Sequence, residues 1–288
     1  MVDQIRNRIT SSEPFRQLTA ALKSLQPGSP VQLRGISGSL TAFTAVHIFE
    51  LRQSHLLLVA ADKDRAEQLR DDCATILGDD RVCLYISGPA HAAMNLDMSA
   101  SIAQIETLRS LLQSIPILVV ASAEALTTKL PPAKQFVERA IELEVNREYP
   151  FEDLLQKLAT MGFLKKDFVE EYGDFAVRGG ILDVFPFIGD NPIRFEFWGD
   201  TVESVREFDV ISQRSIRELQ KATMVASLFT KNADSAREPD SADEKEARIS
   251  IFEYLSNDAL LFFDEPMHIE KEIEELQQEG YSNILTWK

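Results

Sequence analysis

HLLLVAADKDRAEQLRDDCATILG, residues 55–78, decides the fold class of the first part of this chain. HLLLVAA (55–61) is a continuous apolar run bounded by polar residues. A strand covered on both faces reads this way, because helices lie over each side of a parallel sheet. The helical stretch that follows has Asp62 placed to cap its first turn and Gly78 placed to end it. The same alternation continues on either side. VQLRGI (31–36) is a short apolar run ahead of a helical stretch at 39–51. RVCLYI (81–86) and PILVVA (116–121) read as strands, and IAQIETLRSLLQS (102–114) has helical apolar spacing. Strands alternating with helices of this length predict an α/β domain built on a parallel, doubly wound sheet.

After about residue 126 the pattern changes. PFEDLLQKLATMGF (150–163) is an amphipathic helix. It is followed by strand-like runs with no helix between them: FAVRGGILDVFPF (175–187), PIRFEFWG (192–199) and TVESVREFDV (201–210). Gly189-Asp190-Asn191-Pro192 and Gly199-Asp200 are turn signals. A second, smaller α+β domain with an antiparallel sheet is expected. TKNADSAREPDSADEKEAR (230–248) is polar, charged and poor in large apolar groups, as a solvated linker is. ISIFEYL (249–255) and ALLFFDEP (259–266) return to buried-strand composition. The second of these is able to complete the first sheet, which would make the middle domain an insertion. EKEIEELQQEG (270–280) reads as a closing helix. The expected organisation is a discontinuous domain at 1–125 plus 249–288, an α+β domain at 126–229 and a linker at 230–248.

Composition narrows the functional classes. The chain has 288 residues, 44% of them hydrophobic, enough for two cores. No window of 18 consecutive apolar residues exists, and the first residues have no apolar run, so neither a membrane span nor a secretory leader is expected. Cys73 and Cys83 lie in apolar surroundings and read as buried core thiols, which fits a cytoplasmic protein. Thirty Lys and Arg against 46 Asp and Glu give a net charge of -16. Duplex DNA is bound through basic patches that neutralise phosphates, so charge disfavours direct DNA binding and favours a protein partner, a basic one included.

GISGSLTAF (35–43) sits where a nucleotide-binding loop is expected. Such a loop reads G-x-x-x-x-G-K-[ST], with a Lys for the β- and γ-phosphates and a hydroxyl for Mg²⁺. Aligned from Gly35, the chain has Leu40 for the second Gly, Thr41 for the Lys and Ala42 for the hydroxyl residue. None of the 12 glycines is followed by Lys. Gly35, Gly38 and Thr41 therefore belong to a degenerate loop that reads as a strand-to-helix turn, with Ser37, Ser39 and Thr41 left as weak anion donors. Asp264-Glu265 after ALLFF resembles the acidic pair of a Walker B strand, but without a working loop it reads as a surface pair at a strand end. The four histidines, His47, His55, His91 and His268, have no metal-ligand spacing, and no nucleophile motif is present. No catalytic residue and no metal site is expected.

The most informative stretch is PIRFEFWGD. Strand alternation places Ile193, Phe195 and Phe197 on one face and Arg194, Glu196 and Trp198 on the other. Arg and Trp are the residue types that dominate interface hot spots. Arg178 precedes Gly179-Gly180, which suggests a bulge or a close backbone approach that re-aims the arginine. The ordinary alternative is a solvated face with an Arg–Glu cross-strand pair.

YGDFAVRGGILDVFPF and NPIRFEFWGDTVESVREFDVISQRS closely resemble the module shared by the transcription-repair coupling factors (Mfd) and the excision-repair protein UvrB, known there as the UvrA-binding domain. The resemblance runs in order along nearly the whole chain. GISGSLTAF falls where UvrB has a working P-loop and Mfd a degenerate one, which favours the N-terminal region of Mfd. HLLLVAADKDRAEQL, PILVVASAEAL and LLFFDEP follow in the expected succession. The resemblance implies a UvrB-like, P-loop NTPase-like domain without ATPase activity, split by the UvrA-binding module. It implies UvrA as partner through Arg178, Arg194 and Trp198, the last often Phe in the family, with Arg206 and Arg214 as weaker candidates. It also implies a role in recruiting UvrA to stalled RNA polymerase. RNA polymerase, DNA, ATP and Mg²⁺ would be handled by domains beyond Lys288, so the chain is expected to be part of a longer protein and itself to need no cofactor. The competing expectation is a UvrB-like ATPase or helicase fragment that retains nucleotide or DNA binding at 35–43 and Asp264.

Overall fold

A computed structural model describes residues 2–26, 28–87, 98–113, 115–138, 140–225 and 249–278. In chain order the elements are α1 (Val2–Thr10), α2 (Glu13–Lys23), α3 (Leu40–Arg52), β1 (Leu56–Ala60), α4 (Lys63–Leu77), β2 (Val82–Tyr85), α5 (Met98–Leu111) and β3 (Leu118–Ser122). They continue with α6 (Ala133–Glu138), β4 (Ala140–Glu144), α7 (Phe151–Thr160), β5 (Leu164–Lys165), β6 (Asp174–Arg178), β7 (Ile181–Val184) and β8 (Ile193–Trp198). Then come β9 (Thr201–Phe208), β10 (Ser215–Leu219), β11 (Lys221–Val225), β12 (Leu260–Phe263) and α8 (Pro266–Gln278). The linker expected at 230–248 lies outside the described residues.

The chain divides into two compact units, one from Met1–Leu96, Glu106–Lys129 and Ser250–Lys288, the other from Asp97–Ile105 and Leu130–Ile249. The first holds a four-stranded parallel sheet in the order β12-β1-β3-β2. Every residue of β1 and β3 is buried, as their unbroken apolar runs predict. The helix after β1 starts as expected: Asp62 Oδ1 accepts from the Arg65 amide at 2.8 Å, and Gly78 ends it with φ at 102°. The strand composition of ALLFF is realised in β12, which pairs with β1 in parallel register.

Two expected strands do not form. VQLRGI (31–36) is irregular and joins no sheet. It is short, and Val31, Gln32 and Arg34 are exposed, so it lacks the two-sided burial that sustains a parallel strand. ISIFEYL forms a single 3₁₀ turn at Ile251–Tyr254, with Ile251 and Tyr254 buried. Its apolar residues sit three apart, so one turn buries both without sheet pairing. Cys73 is buried as expected, and burial, then Asp72, push its thiol up to about 12. Cys83 is only partly buried.

The second unit is built on a six-stranded sheet, β10-β9-β8-β7-β6-β5, antiparallel except for β5 beside β6. A separate antiparallel pair, β4 and β11, accompanies it. One face of the large sheet is apolar: Phe175, Leu182, Val184, Ile193, Phe195 and Phe197 are buried, and Phe151 of α7 meets the Phe197 ring edge-on with centroids 4.9 Å apart. Each such side chain contributes about 1.5–3 kcal/mol relative to exposure. Asp200, in the β8–β9 turn, accepts from the Phe151 amide at 3.0 Å and so fixes the first turn of α7 to that hairpin.

Gly179 and Gly180 make a two-residue hairpin turn between Arg178 and Ile181, not a bulge. Gly179 has φ at 60°, as the first turn residue of a type II′ hairpin requires. The close approach expected from the pair is present at Gly180, whose carbonyl accepts from the Phe197 amide at 2.7 Å. A Cβ on Gly180 would stand 2.5 Å from the Phe197 carbonyl oxygen. Gly180→Ala is therefore expected to destabilise the fold by about 1–3 kcal/mol, as forced overpacking does. Urea unfolding followed by far-UV CD measures this, and an unchanged midpoint contradicts it.

Candidate functional site

The antiparallel register of the large sheet brings the candidate arginines together. Ala176 of β6 lies opposite Asp183 of β7, Asp183 opposite Arg194 of β8, Arg194 opposite Arg206 of β9, and Arg206 opposite Glu218 of β10. The adjacent row is Arg178, Ile181, Glu196 and Ser204. All of these side chains stand on the face opposite the apolar one. The burial of β8 alternates as the sequence predicts, with Ile193, Phe195 and Phe197 buried and Trp198 78% exposed.

The sequence did not disclose Asp183. It is 1% exposed, in the middle of the face. Arg194 Nε donates to Asp183 Oδ1 at 2.6 Å and Arg194 Nη2 donates to Oδ2 at 2.8 Å, a two-point bridge. Arg178 Nη2 donates to the same Oδ2. A carboxylate this deeply buried is tolerated only with such charge-assisted bonds on both oxygens. The hydrogen bonds to Asp183 raise the Arg194 pKa further, against the opposing effect of burial. Arg194 also donates to Gln213 Oε1 at 3.0 Å and lies over the Phe208 ring at 4.4 Å. Arg178 lies over the exposed Phe168 ring at 5.2 Å. The sequence alone treats the two arginines as equals. In the structure the Arg178 side chain is 40% exposed and that of Arg194 only 16%. Arg178 thus reaches further into solvent, and Arg194 is the more enclosed of the two.

Arg206 pairs with Glu196, and Ser204 Oγ donates to the other oxygen of Glu196 at 2.7 Å. This is the Arg–Glu pair that the alternation allowed. It also relieves the Arg194–Arg206 opposition, which would otherwise be repulsive. Arg214 is exposed at the β9–β10 turn, where its carbonyl accepts from the Asp209 amide at 2.9 Å. Among the described residues its side chain has no hydrogen-bond partner.

In the first unit the loop at 35–43 is closed on itself. Gly35 and Gly38 have φ at 77° and 58°. The Leu40 and Thr41 amides donate to the Ser37 and Gly38 carbonyls. Thr41 is fully buried, and its hydroxyl donates to Asp264 Oδ1 at 3.1 Å. Arg65 Nε donates to Asp264 Oδ2 at 2.8 Å. Two expectations are corrected here. Asp264 is buried rather than on the surface, because Arg65 compensates its charge. The Thr41 hydroxyl is not free for an external anion, because it already donates to the Asp264 carboxylate. Glu265 alone is exposed, and it pairs with His268 Nδ1 at 2.6 Å.

Comparison with known proteins gives the site a context. Residues 141–228 match the family described as the UvrB interaction domain, a span that encloses Arg178, Asp183, Arg194, Trp198, Arg206 and Arg214. The chain is 31% identical to a transcription-repair-coupling factor of Myxococcus xanthus over 228 residues, 76% of this chain and 19% of that protein. It is 26% identical to that of Bacillus subtilis (strain 168) over 224 residues, 76% of the chain and 18% of the relative. With the Mycobacterium bovis protein it shares 34% identity over 184 residues, 61% of the chain and 15% of the relative. Residues 141–228 are thus similar to the UvrB interaction domain, and the chain is similar to the transcription-repair-coupling factors, matching less than a fifth of their length.

The unequal burial of the two arginines has a measurable consequence. Arg194→Ala leaves a buried carboxylate with one cation, and is expected to cost about 1–3 kcal/mol of stability. Arg178→Ala removes a more exposed group and should cost less. Chemical denaturation of both variants checks the order, and equal losses would contradict it.

Proposed function

We propose that this chain is a protein-interaction module of transcription-coupled nucleotide excision repair, and that it docks UvrA through the sheet face carrying Arg178, Arg194 and Trp198. The observation that carries the reading is the pairing of an exposed tryptophan with internally fixed guanidinium groups, inside the span that matches the UvrB interaction domain. Arg178 supplies charge-assisted hydrogen bonds to partner carboxylates, and Trp198 supplies apolar area. Arg206 and Arg214 lie on neighbouring strands and turns and have secondary parts. Within a full-length coupling factor the module would bring UvrA to a stalled RNA polymerase, with the polymerase and DNA contacted by other regions.

The expected result with purified UvrA is specific. Trp198→Ala and Arg178→Ala each weaken binding by about 2 kcal/mol or more, as hot-spot truncations do, with little change in melting temperature. Titration calorimetry beside thermal unfolding makes the measurement. Wild-type affinity in both variants would refute the assigned face.

The first unit, in this reading, is a catalytically inactive relic of a UvrB-like NTPase domain. Its support is the absent lysine, the inward-turned loop amides and the Asp264 carboxylate already shared by Thr41 and Arg65. A nucleotide would need to break both bonds and bring its own Mg²⁺ into a place held by a guanidinium. Millimolar ATP with Mg²⁺ is expected to leave the melting temperature unchanged, whereas a ligand of the native state raises it by mass action. A rise of several degrees would favour the ATPase-fragment alternative.

A further inference from the structure

The buried carboxylate in the middle of the proposed docking face has no access to a partner, so any part it plays in docking is exercised through its neighbours. We infer that Asp183 is the positioning residue of this face. It holds Arg178 and Arg194 in a fixed, outward-reading arrangement and halves the charge they present, so that the face fits a partner segment with a carboxylate beside an apolar side chain. The inference rests on the reading that this face docks UvrA.

Four observations carry it. Asp183 is 1% exposed, and both its oxygens are taken, Oδ1 by Arg194 and Oδ2 by Arg194 and Arg178 together. Each guanidinium is held from a second side as well, Arg194 by Phe208 and Gln213 and Arg178 by Phe168. Surface arginines normally have to be ordered at each encounter, which subtracts from affinity, and these are ordered in advance. Among the described residues Nε and Nη1 of Arg178 and Nη1 of Arg194 have no hydrogen-bond partner, and the greater exposure of Arg178 makes it the reader.

The remaining observation concerns charge. Two guanidiniums and one carboxylate leave a net charge of one positive unit on the Arg178–Asp183–Arg194 group, and the neighbouring Arg206–Glu196 pair adds none. The chain as a whole carries -16. Long-range attraction of an acidic partner is therefore weak, and the selectivity of the face lies in short-range geometry. Trp198, 78% exposed four residues along β8 from Arg194, and Phe168, 58% exposed beneath Arg178, are the apolar components a partner's side chain meets beside its carboxylate.

Binding kinetics on immobilised UvrA, with melting temperatures taken in parallel, test this. Asp183→Asn keeps the side-chain shape but removes the charge that holds both arginines. The dissociation rate is expected to rise about tenfold or more, as when a buried hydrogen-bonded charge pair is broken. The association rate at low salt should stay equal or increase, with a steeper salt dependence, because the local charge rises from one unit to two. A merely structural role would lower the fraction of binding-competent protein and leave the rates of that fraction unmoved. If Asp183→Asn does not fold, Arg194→Lys serves: it keeps the charge, loses the two-point bridge and should raise the dissociation rate similarly. Wild-type binding with an unmoved dissociation rate in the folded variant overturns this inference alone. Absence of wild-type binding overturns the docking reading, and this inference with it.

Discussion

Burying one carboxylate on the polar face of a sheet constrains everything around Asp183. Left unpaired it would cost several kcal/mol of desolvation, so the face around it is arranged to supply donors. Arg194 comes directly opposite from the next strand, and Arg178 comes diagonally from the strand on the other side. Ala176, facing Asp183 on β6, is small enough to leave that space. The Gly179-Gly180 hairpin sets the register that brings Arg178 within reach of Asp183. Gly180 also lets β6–β7 approach the Phe197 backbone, so turn, register and charge pairing are one connected requirement.

The same requirement divides the labour on the face. A cation spent on a buried anion is less available to a partner, and the more completely it is spent, the more it becomes scaffold. Arg194 is bound at two points by Asp183, by Gln213 and against Phe208. Arg178 makes one such bond and keeps more of itself in solvent. Trp198 lies at the end of its strand, where the Gly199-Asp200 turn leaves its ring uncovered while Asp200 fastens α7 on the apolar side. Ordered donors and an uncovered aromatic on a stiff sheet are what a hot spot needs, because the entropy of holding them is already spent in folding.

Much of this was legible in the sequence, for identifiable reasons. The alternation in IRFEFW fixed which side chains share a face, since strand period leaves two choices and the apolar set selects one. The unbroken run LLLVA marked a strand buried on both sides, and Asp62 and Gly78 bounded the helix after it. VQLRGI misled because apolar composition over six residues cannot distinguish a strand from an irregular segment without the partners that pair with it. ISIFEYL misled because apolar residues three apart satisfy one helical turn as well as part of a strand. Asp183 was invisible for a different reason. ILDV reads as a strand with one polar residue, and nothing local says that two arginines from other strands converge on it. The signal for it in the sequence is an acidic residue placed between Arg178 and Arg194 with a two-residue turn on one side.

The Thr41–Asp264–Arg65 group shows how the same physics yields the opposite result. Here too a buried carboxylate is satisfied by an arginine and one further donor. Yet the surrounding loop turns its amides onto its own carbonyls, and Thr41 is fully buried. In a working phosphate site the amides, a lysine and a hydroxyl stay unsatisfied until ligand arrives, and the cost of keeping them so is recovered on binding. Here the Thr41 hydroxyl and the Arg65 guanidinium are already bonded to Asp264. Around Asp183 the Arg178 guanidinium makes one bond to the carboxylate and its side chain stays 40% exposed. Around Asp264 the buried Thr41 hydroxyl is bonded to the carboxylate, and Arg65 divides its donors between Asp264 and Gln68. The two buried carboxylates thus share one means of compensation and differ in how far the compensating groups reach solvent.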